Sequence, residues 1–195
     1  MSNNIEIEGK ILVTETEFTS LLKYFKRTDE DKIVQINHYI DSQDQQLRKL
    51  GFALRIREKI NRYVLTLKTP LSEGLLEKDQ DISKEVYKSF KYENKFPDGS
   101  IKNFLLMLGL NVDSLSIVTS LKTERYDIDY NGGLLSLDKN TYNSIVDYEV
   151  ELEETSLERA QANLKELCEK VNIEYKINHL SKQARAMNSK WIKGL

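Results

Sequence analysis

Carboxylates and bases recur along this chain at alternate positions, in short rows of one sign. Glu6 and Glu8 lie two apart and lead to Lys10. Asp147, Glu149, Glu151 and Glu153 repeat the spacing late in the chain, and Arg55 and Arg57 repeat it with positive charge. In an extended strand residues i and i+2 point to one side, so each row is a charged face. Glu6, Glu8, Glu149 and Glu151 offer the hard oxygen ligands that suit Mg²⁺ or Mn²⁺. Arg55, Arg57, Lys68 and Arg125 offer donors for anionic oxygens, and an arginine fork can take a phosphate with two hydrogen bonds. A cation site beside a basic cradle is the equipment of phosphoryl transfer.

The plainer account of any one row is the wet face of an amphipathic sheet. The rows together argue against it. Solvated faces mix signs, because like charges opposite each other cost roughly a few tenths to one kcal/mol per cross-strand pair. Here the glutamates sit on the first and last segments, and the arginines and lysine sit between them.

These rows must be carried by strands. Period-two segments cover "NIEIEGKIL", "VQINHYIDS", the hairpin "GFALRIREKINRYVLTLKTP" turning near Asn61, "DISKEVYKSF", "TSLKTERYDIDYNGGLLSLDKNTY" and "SIVDYEVELEE". Asn131-Gly132-Gly133 is a tight-turn signal. The count is roughly eight strands, mostly joined as hairpins, which predicts an antiparallel sheet or barrel. Four helical segments accompany them. "TETEFTSLLKYF" opens with Thr14 and Glu17 at capping-box spacing, and "SIKNFLLMLGL" has Ser100 placed to cap it. "TSLERAQANLKELCEKV" has Thr155 and Glu158 as a second capping box, and "SKQARAMNSKWI" forms a last helix. If the sheet closes, Leu54, Ile56, Leu65, Leu67, Leu135, Leu137, Val150 and Leu152 face outward under the helices. The charged rows then face inward around a wet lumen.

Composition sets the frame. The chain has 195 residues, 39% hydrophobic and 31% charged, with a net charge of −2. That balance calls for neither nucleic acid nor a membrane surface. The single cysteine, Cys168, excludes an intrachain disulfide and fits helix core between Leu164, Leu167 and Val171. There is no run near 18 apolar residues and no signal-peptide pattern, so the expectation is a cytoplasmic protein. No Pro- or Gly-rich linker divides the sequence, which predicts one domain over 1–195. His38 and His179 are too few for a histidine site, each reading as a surface or satisfied residue. Trp191 either packs the last helix or is exposed.

In order along the chain, Glu6-x-Glu8-x-Lys10, "YIDSQDQQLRKLGFALRIR", "TLK", "TERYDI", "LLSLDK", "DYEVELE" and Ser181-Lys182 resemble the CYTH superfamily, the triphosphate tunnel metalloenzymes. The resemblance spans residues 5–182. Tyr39-Ile40-Asp41-Ser42 departs from the commoner Phe and Thr without touching the charged rows. The resemblance implies a closed eight-stranded antiparallel tunnel with outer helices, which binds a small-molecule triphosphate with Mg²⁺ or Mn²⁺. It implies metal-site roles for Glu6, Glu8, Glu149 and Glu151, with Asp138 as an additional carboxylate. It implies phosphate contacts for Lys10, Arg55, Arg57, Lys68, Arg125 and Lys182. Glu6, Glu8, Lys10 and Arg57 form the expected catalytic set, and Glu85 aligns with a strand that often carries a lumen glutamate.

Three functions stay open at this point. The first is metal-dependent hydrolysis of inorganic tripolyphosphate, thiamine triphosphate or a nucleoside triphosphate. The second is a class IV adenylyl cyclase, which needs an adenine and ribose pocket. The third is a non-catalytic triphosphate-binding module, which gains nothing from a cluster of repelling glutamates. Monomer and homodimer are equally open.

Overall fold

The structure, a computed structural model, describes residues 3–72 and 74–192, with the side chains of residues 3, 4 and 190–192 left out, so the Trp191 expectation lies outside what is described. Among the described residues nine strands make one antiparallel sheet: β1 (Asn3–Glu6), β2 (Glu8–Val13), β3 (Ile33–Asp41), β4 (Ala53–Lys59), β5 (Arg62–Pro70), β6 (Leu75–Ile82), β7 (Ser116–Tyr130), β8 (Gly133–Tyr142) and β9 (Ile145–Glu153). Six α-helices accompany them: α1 (Glu15–Tyr24), α2 (Gln46–Lys49), α3 (Lys84–Glu93), α4 (Ser100–Met107), α5 (Leu157–Val171) and α6 (Lys182–Ile192).

The strand order is β1-β6-β5-β4-β3-β7-β8-β9-β2. Its two edges are therefore the consecutive pieces of one N-terminal segment, interrupted only at Ile7. β1 pairs with β6 and β2 pairs with β9, so the chain itself carries the sheet across the seam of a nearly closed barrel. The expected eight strands become nine because the first is divided between two partners. Gly74, at φ +77°, passes the seam where an added Cβ would lie 2.5 Å from the Glu6 carbonyl oxygen, so no side chain fits there.

Hairpins set the register. β4 turns into β5 through Ile60-Asn61 and β7 into β8 through Asn131-Gly132, both pairs at positive φ, as two-residue turns that match strand twist require. The apolar faces point outward, as closure demands. Leu54, Ile56, Leu65 and Leu67 are buried with Tyr87 and Phe90 of α3 and with Ile101 and Leu105 of α4. Ile11, Leu135, Leu137, Val150 and Leu152 are buried with Phe18 and Leu21 of α1 and with Leu164, Leu167 and Cys168 of α5. Burying each such aliphatic side chain contributes roughly 1.5–3 kcal/mol. Gly9 lets α5 press close, since a Cβ there would meet Leu164 Cδ1 at 3.0 Å.

The Thr14–Glu17 capping box is present on α1. Elsewhere the boundaries differ from expectation. α5 is capped by Ser156, whose hydroxyl accepts from Arg159 N, rather than by Thr155, and Gly99 rather than Ser100 precedes α4. The larger correction concerns "DISKEVYKSF", expected as a strand. Ser83 caps α3 there by accepting from Val86 N, and Tyr87 and Phe90 form its buried face. The missing strand is β6, just upstream.

Candidate active site

The lumen is a cavity of about 250 Å³ whose lining includes Glu6, Glu8, Lys10, Arg55, Arg57, Lys68, Arg125, Glu151 and Lys182. Strand alternation puts these charges inside, as the sequence pattern requires, and the ladder registers decide which of them meet. Arg125 pairs with Asp138 across β7 and β8, and Asp138 pairs with Glu149 across β8 and β9. Lys10 lies opposite Glu151 across β2 and β9.

The acidic wall is a triad. Oxygens of Asp138, Glu149 and Glu151 all lie within 4.8 Å of one another, and Asp138 and Glu149 are fully buried. Lys182 Nζ, at the start of α6, sits 2.8 Å from Asp138, 2.6 Å from Glu149 and 2.5 Å from Glu151. Arg125 donates to both oxygens of Asp138 at 2.7 and 2.6 Å and to Glu151 at 2.7 Å. Burial opposes the charge on each group, but the pairing outweighs it. Lys182, Arg125 and Lys10 hold Glu151 well below the usual carboxylate range, and Asp138, Glu151 and Glu149 raise the Lys182 ammonium.

Glu6 and Glu8, expected beside this triad, are turned to other partners. Glu6 forms an ion pair with Lys68, and Glu8 accepts from Lys10 Nζ at 2.6 Å. Burial, followed by the charge of Glu151, pushes the Glu8 carboxyl up despite Lys10. For Lys10, burial is outweighed by Glu8 and Glu151, and its ammonium is raised.

The basic wall runs along β4 and β5. Arg55 approaches Glu77 at 3.4 Å, and Lys68 approaches the same carboxylate at 3.3 Å. Arg57 is different. Its Nε donates to Asn37 at 3.1 Å, and among the described residues it makes no ion pair. Burial first, then the charges of Arg55 and Arg125, push its guanidinium down to about 10. On its far side opens a second hollow of about 450 Å³, lined also by Lys59, Arg62, Thr66, Asp79 and Asp81.

Several residues of the site escaped the sequence reading. Glu85 is exposed in the first turn of α3, and the glutamate that meets the basic wall is Glu77 on β6, beside Arg55 and Lys68. Asn178 Nδ2 donates to Glu149 at 2.8 Å, and Arg185 of α6 binds both Glu149 and Asp147. Arg185 had one available signal: it follows Lys182 by three, which puts both on one face of a helix. His38 is buried and hydrogen-bonded, His179 is exposed, and burial raises the Cys168 thiol to about 11, so none of these belongs to the lumen chemistry. Among the described residues no helix is long and apolar enough to cross a membrane.

The CYTH domain family model matches residues 4–186. The chain belongs to the CYTH family. One relative, YjbK of Bacillus subtilis, for which triphosphatase activity is proposed, is 35% identical over 173 residues, covering 89% of this chain and 90% of that protein. A crystal structure from Bacillus halodurans, of a protein proposed to be an adenylate cyclase, matches with a TM-score of 0.88 and 37% identity, covering 95% of this chain and 98% of that one. A Hippeastrum structure matches with a TM-score of 0.73 over 95% of each chain; at 23% identity it supports the fold alone.

Proposed function

We propose that this CYTH protein hydrolyses a small-molecule triphosphate bound in the barrel lumen, with Mg²⁺ or Mn²⁺ as cofactor. The observation that carries the reading is Arg57. A part-buried guanidinium, repelled by Arg55 and Arg125 and, among the described residues, bonded only to the Asn37 amide, calls for an anion from outside the chain. Arg55, Lys68, Lys10, Arg125 and Lys182 surround the same cavity, so the anion it fits carries several charges.

The donor set also fits a divalent cation. Asp138, Glu149 and Glu151 present hard oxygens within 4.8 Å of one another, with Glu6 and Glu8 on the adjoining N-terminal segment completing the proposed set. Such a cation, when bound, supplies positive charge to the phosphoryl oxygens as they develop charge. The chain's own residues do the rest. Arg55, Arg57 and Lys68 hold the polyphosphate chain in line, and Lys10 and Arg125 draw charge from its oxygens. A lumen carboxylate not engaged by the cation orients the attacking water and accepts its proton. Water attacks the terminal phosphorus, the anhydride P–O bond breaks with the electron pair going to the departing diphosphate or its ester, and orthophosphate is released.

Adenylyl cyclase activity is the second reading, favoured by the proposed activity of the Bacillus halodurans protein. Incubation of the purified protein with ATP and Mn²⁺ separates the two: orthophosphate and ADP are expected, whereas cyclic AMP and pyrophosphate would establish the cyclase. Tripolyphosphate and thiamine triphosphate belong in the same panel. Turnover is expected with Mg²⁺ or Mn²⁺ and absent in excess EDTA, and Ca²⁺, with its looser coordination, should inhibit. Full activity in EDTA would end the metal-dependent reading.

A further inference from the structure

Arg185 grips the acidic wall from the side of α6. Its Nη1 and Nη2 donate to the two oxygens of Glu149 at 2.9 and 3.1 Å. Its Nε and Nη2 donate to the two oxygens of Asp147 at 2.9 and 3.2 Å. Nη1 also donates to the Leu180 carbonyl at 3.0 Å, which ties the grip to the segment leading into the helix. One guanidinium thus fixes two carboxylates in orientation, a task for which a planar fork is suited and an ammonium is not.

Lys182, one turn earlier, does something different. Its ammonium lies within 2.8 Å of oxygens from all three triad carboxylates. A compact cation of the chain therefore already stands where the triad would take a divalent ion. The two cannot share those oxygens, because like charges would then be in contact. Lys182 must withdraw when the ion enters, and it already lines the lumen, where a phosphate can receive it. Once it withdraws, the carboxylates face one another, and Glu149, wholly buried, has no water to relax into.

We infer that Arg185 is the positioning residue of the cation site: it holds Glu149 in the triad while Lys182 is exchanged for the divalent cation. The inference rests on the proposed metal-dependent function. It assigns Arg185 no contact with substrate, only control of a ligand's orientation, as partners of ligating carboxylates commonly exert.

The test is Mn²⁺ binding without substrate, read from the loss of the free-ion electron paramagnetic resonance signal. Arg185→Lys keeps the charge and removes the fork. It should weaken Mn²⁺ binding about tenfold or more; unchanged affinity in a folded variant overturns the positioning role. Asp147→Asn is a milder change to the same clamp and should weaken Mn²⁺ a few-fold, so unchanged affinity there overturns it too, even if Arg185→Lys does not fold. Lys182→Met removes the competing cation. It should bind Mn²⁺ more tightly than wild type and gain more in melting temperature when Mn²⁺ is added; no gain on either measure overturns the exchange. Failure of wild type itself to bind Mn²⁺ would instead sink the metal-dependent reading on which all of this rests.

Discussion

Arg57 and Arg125 began as equals in the sequence, each an arginine on the polar face of a strand. The ladder separates them. Arg125 lands opposite Asp138 and is paired with two carboxylates, while Arg57 lands opposite Val64 and, among the described residues, makes no ion pair. Register is what decided their partners, and register depends on the turns and on both strands of each pair, so single-strand patterns could not supply it. The same holds for Glu6 and Glu8, which share a face with the triad by alternation but pair with Lys68 and Lys10. Removing Arg57 should therefore separate function from stability. Arg57→Ala is expected to raise KM for tripolyphosphate and lower kcat. A charge-assisted hydrogen bond contributes about 1.5–3 kcal/mol, so kcat/KM should fall roughly ten- to a hundredfold. Relief of its repulsion with Arg55 and Arg125 should leave the melting temperature of the unliganded protein unchanged or higher. Steady-state kinetics with parallel melting curves check both, and unchanged kinetics in a folded variant would remove Arg57 from the site.

At the scale of elements, most strands were legible because closure gives each one an apolar outer face and a polar inner one. β6 was not. Its inner face carries Glu77, Asp79 and Asp81, but its outer face uses Lys78 and Gln80 between Leu76 and Ile82, so no apolar alternation marks it. Lys78 lays its charge 5.9 Å from the Phe104 ring of α4, and Gln80 donates to the Asp98 carbonyl, contacts that replace apolar packing. α3 then drew the strand reading because its first residues also alternate, although Ser83 with Val86, Tyr87 and Phe90 has helical logic. α3 covers a buried polar cluster on the barrel's outer wall. His38 is hydrogen-bonded with Ser120 at 2.8 Å and with Tyr87 at 3.0 Å, stacks on the Tyr87 ring, and faces Glu58 at 3.6 Å. Tyr63 donates to Glu58, and Lys91 lies over Tyr87. Burial first, with help from Lys91, lowers the His38 imidazole below its ordinary value against the pull of Glu58. A base lowered in the folded state contributes stability that is present above its unfolded value, near 6.5, and lost as pH falls through the folded value. Stability should accordingly decline on acidification below about 6.5, with a slope from this one proton no steeper than about 1.4 kcal/mol per pH unit. Urea titrations at pH 7.5, 6.5 and 5.5 should show that decline in wild type and less of it in His38→Gln; identical profiles would mean that another group governs the slope.

Across the whole molecule, most lumen charges are paired with one another before any ligand is considered, Arg57 apart. Lys182 and Arg125 answer the triad, Lys68 answers Glu6 and Glu77, Arg55 answers Glu77, and Lys10 answers Glu8. Closing the sheet through the divided N-terminal segment sets β1 beside β6 and so brings Glu6 to Lys68 of β5, while Arg125 meets Asp138 on the neighbouring strand and Lys182 reaches the triad from α6. On the proposed function, cation and polyanion would therefore not enter independent sites. A divalent ion taking the triad would free Lys182 and Arg125 for phosphate oxygens, and a triphosphate taking Lys68 and Lys10 would free Glu6 and Glu8 for the cation. Each ligand removes competitors from the other's partners, so their binding should be cooperative beyond their mutual chelation in water. A coupling of about 1–3 kcal/mol, or roughly 5- to 150-fold, is the usual range for such linked sites, and it must be reciprocal. Mn²⁺ titrations with and without a saturating non-hydrolysable triphosphate analogue, after subtraction of the cation bound by free analogue, should show tighter cation binding in its presence. The analogue should gain the same factor when Mn²⁺ is added. Independent binding would mean that the ion pairs of the unliganded lumen persist in the complex, and that the charged rows do not exchange partners.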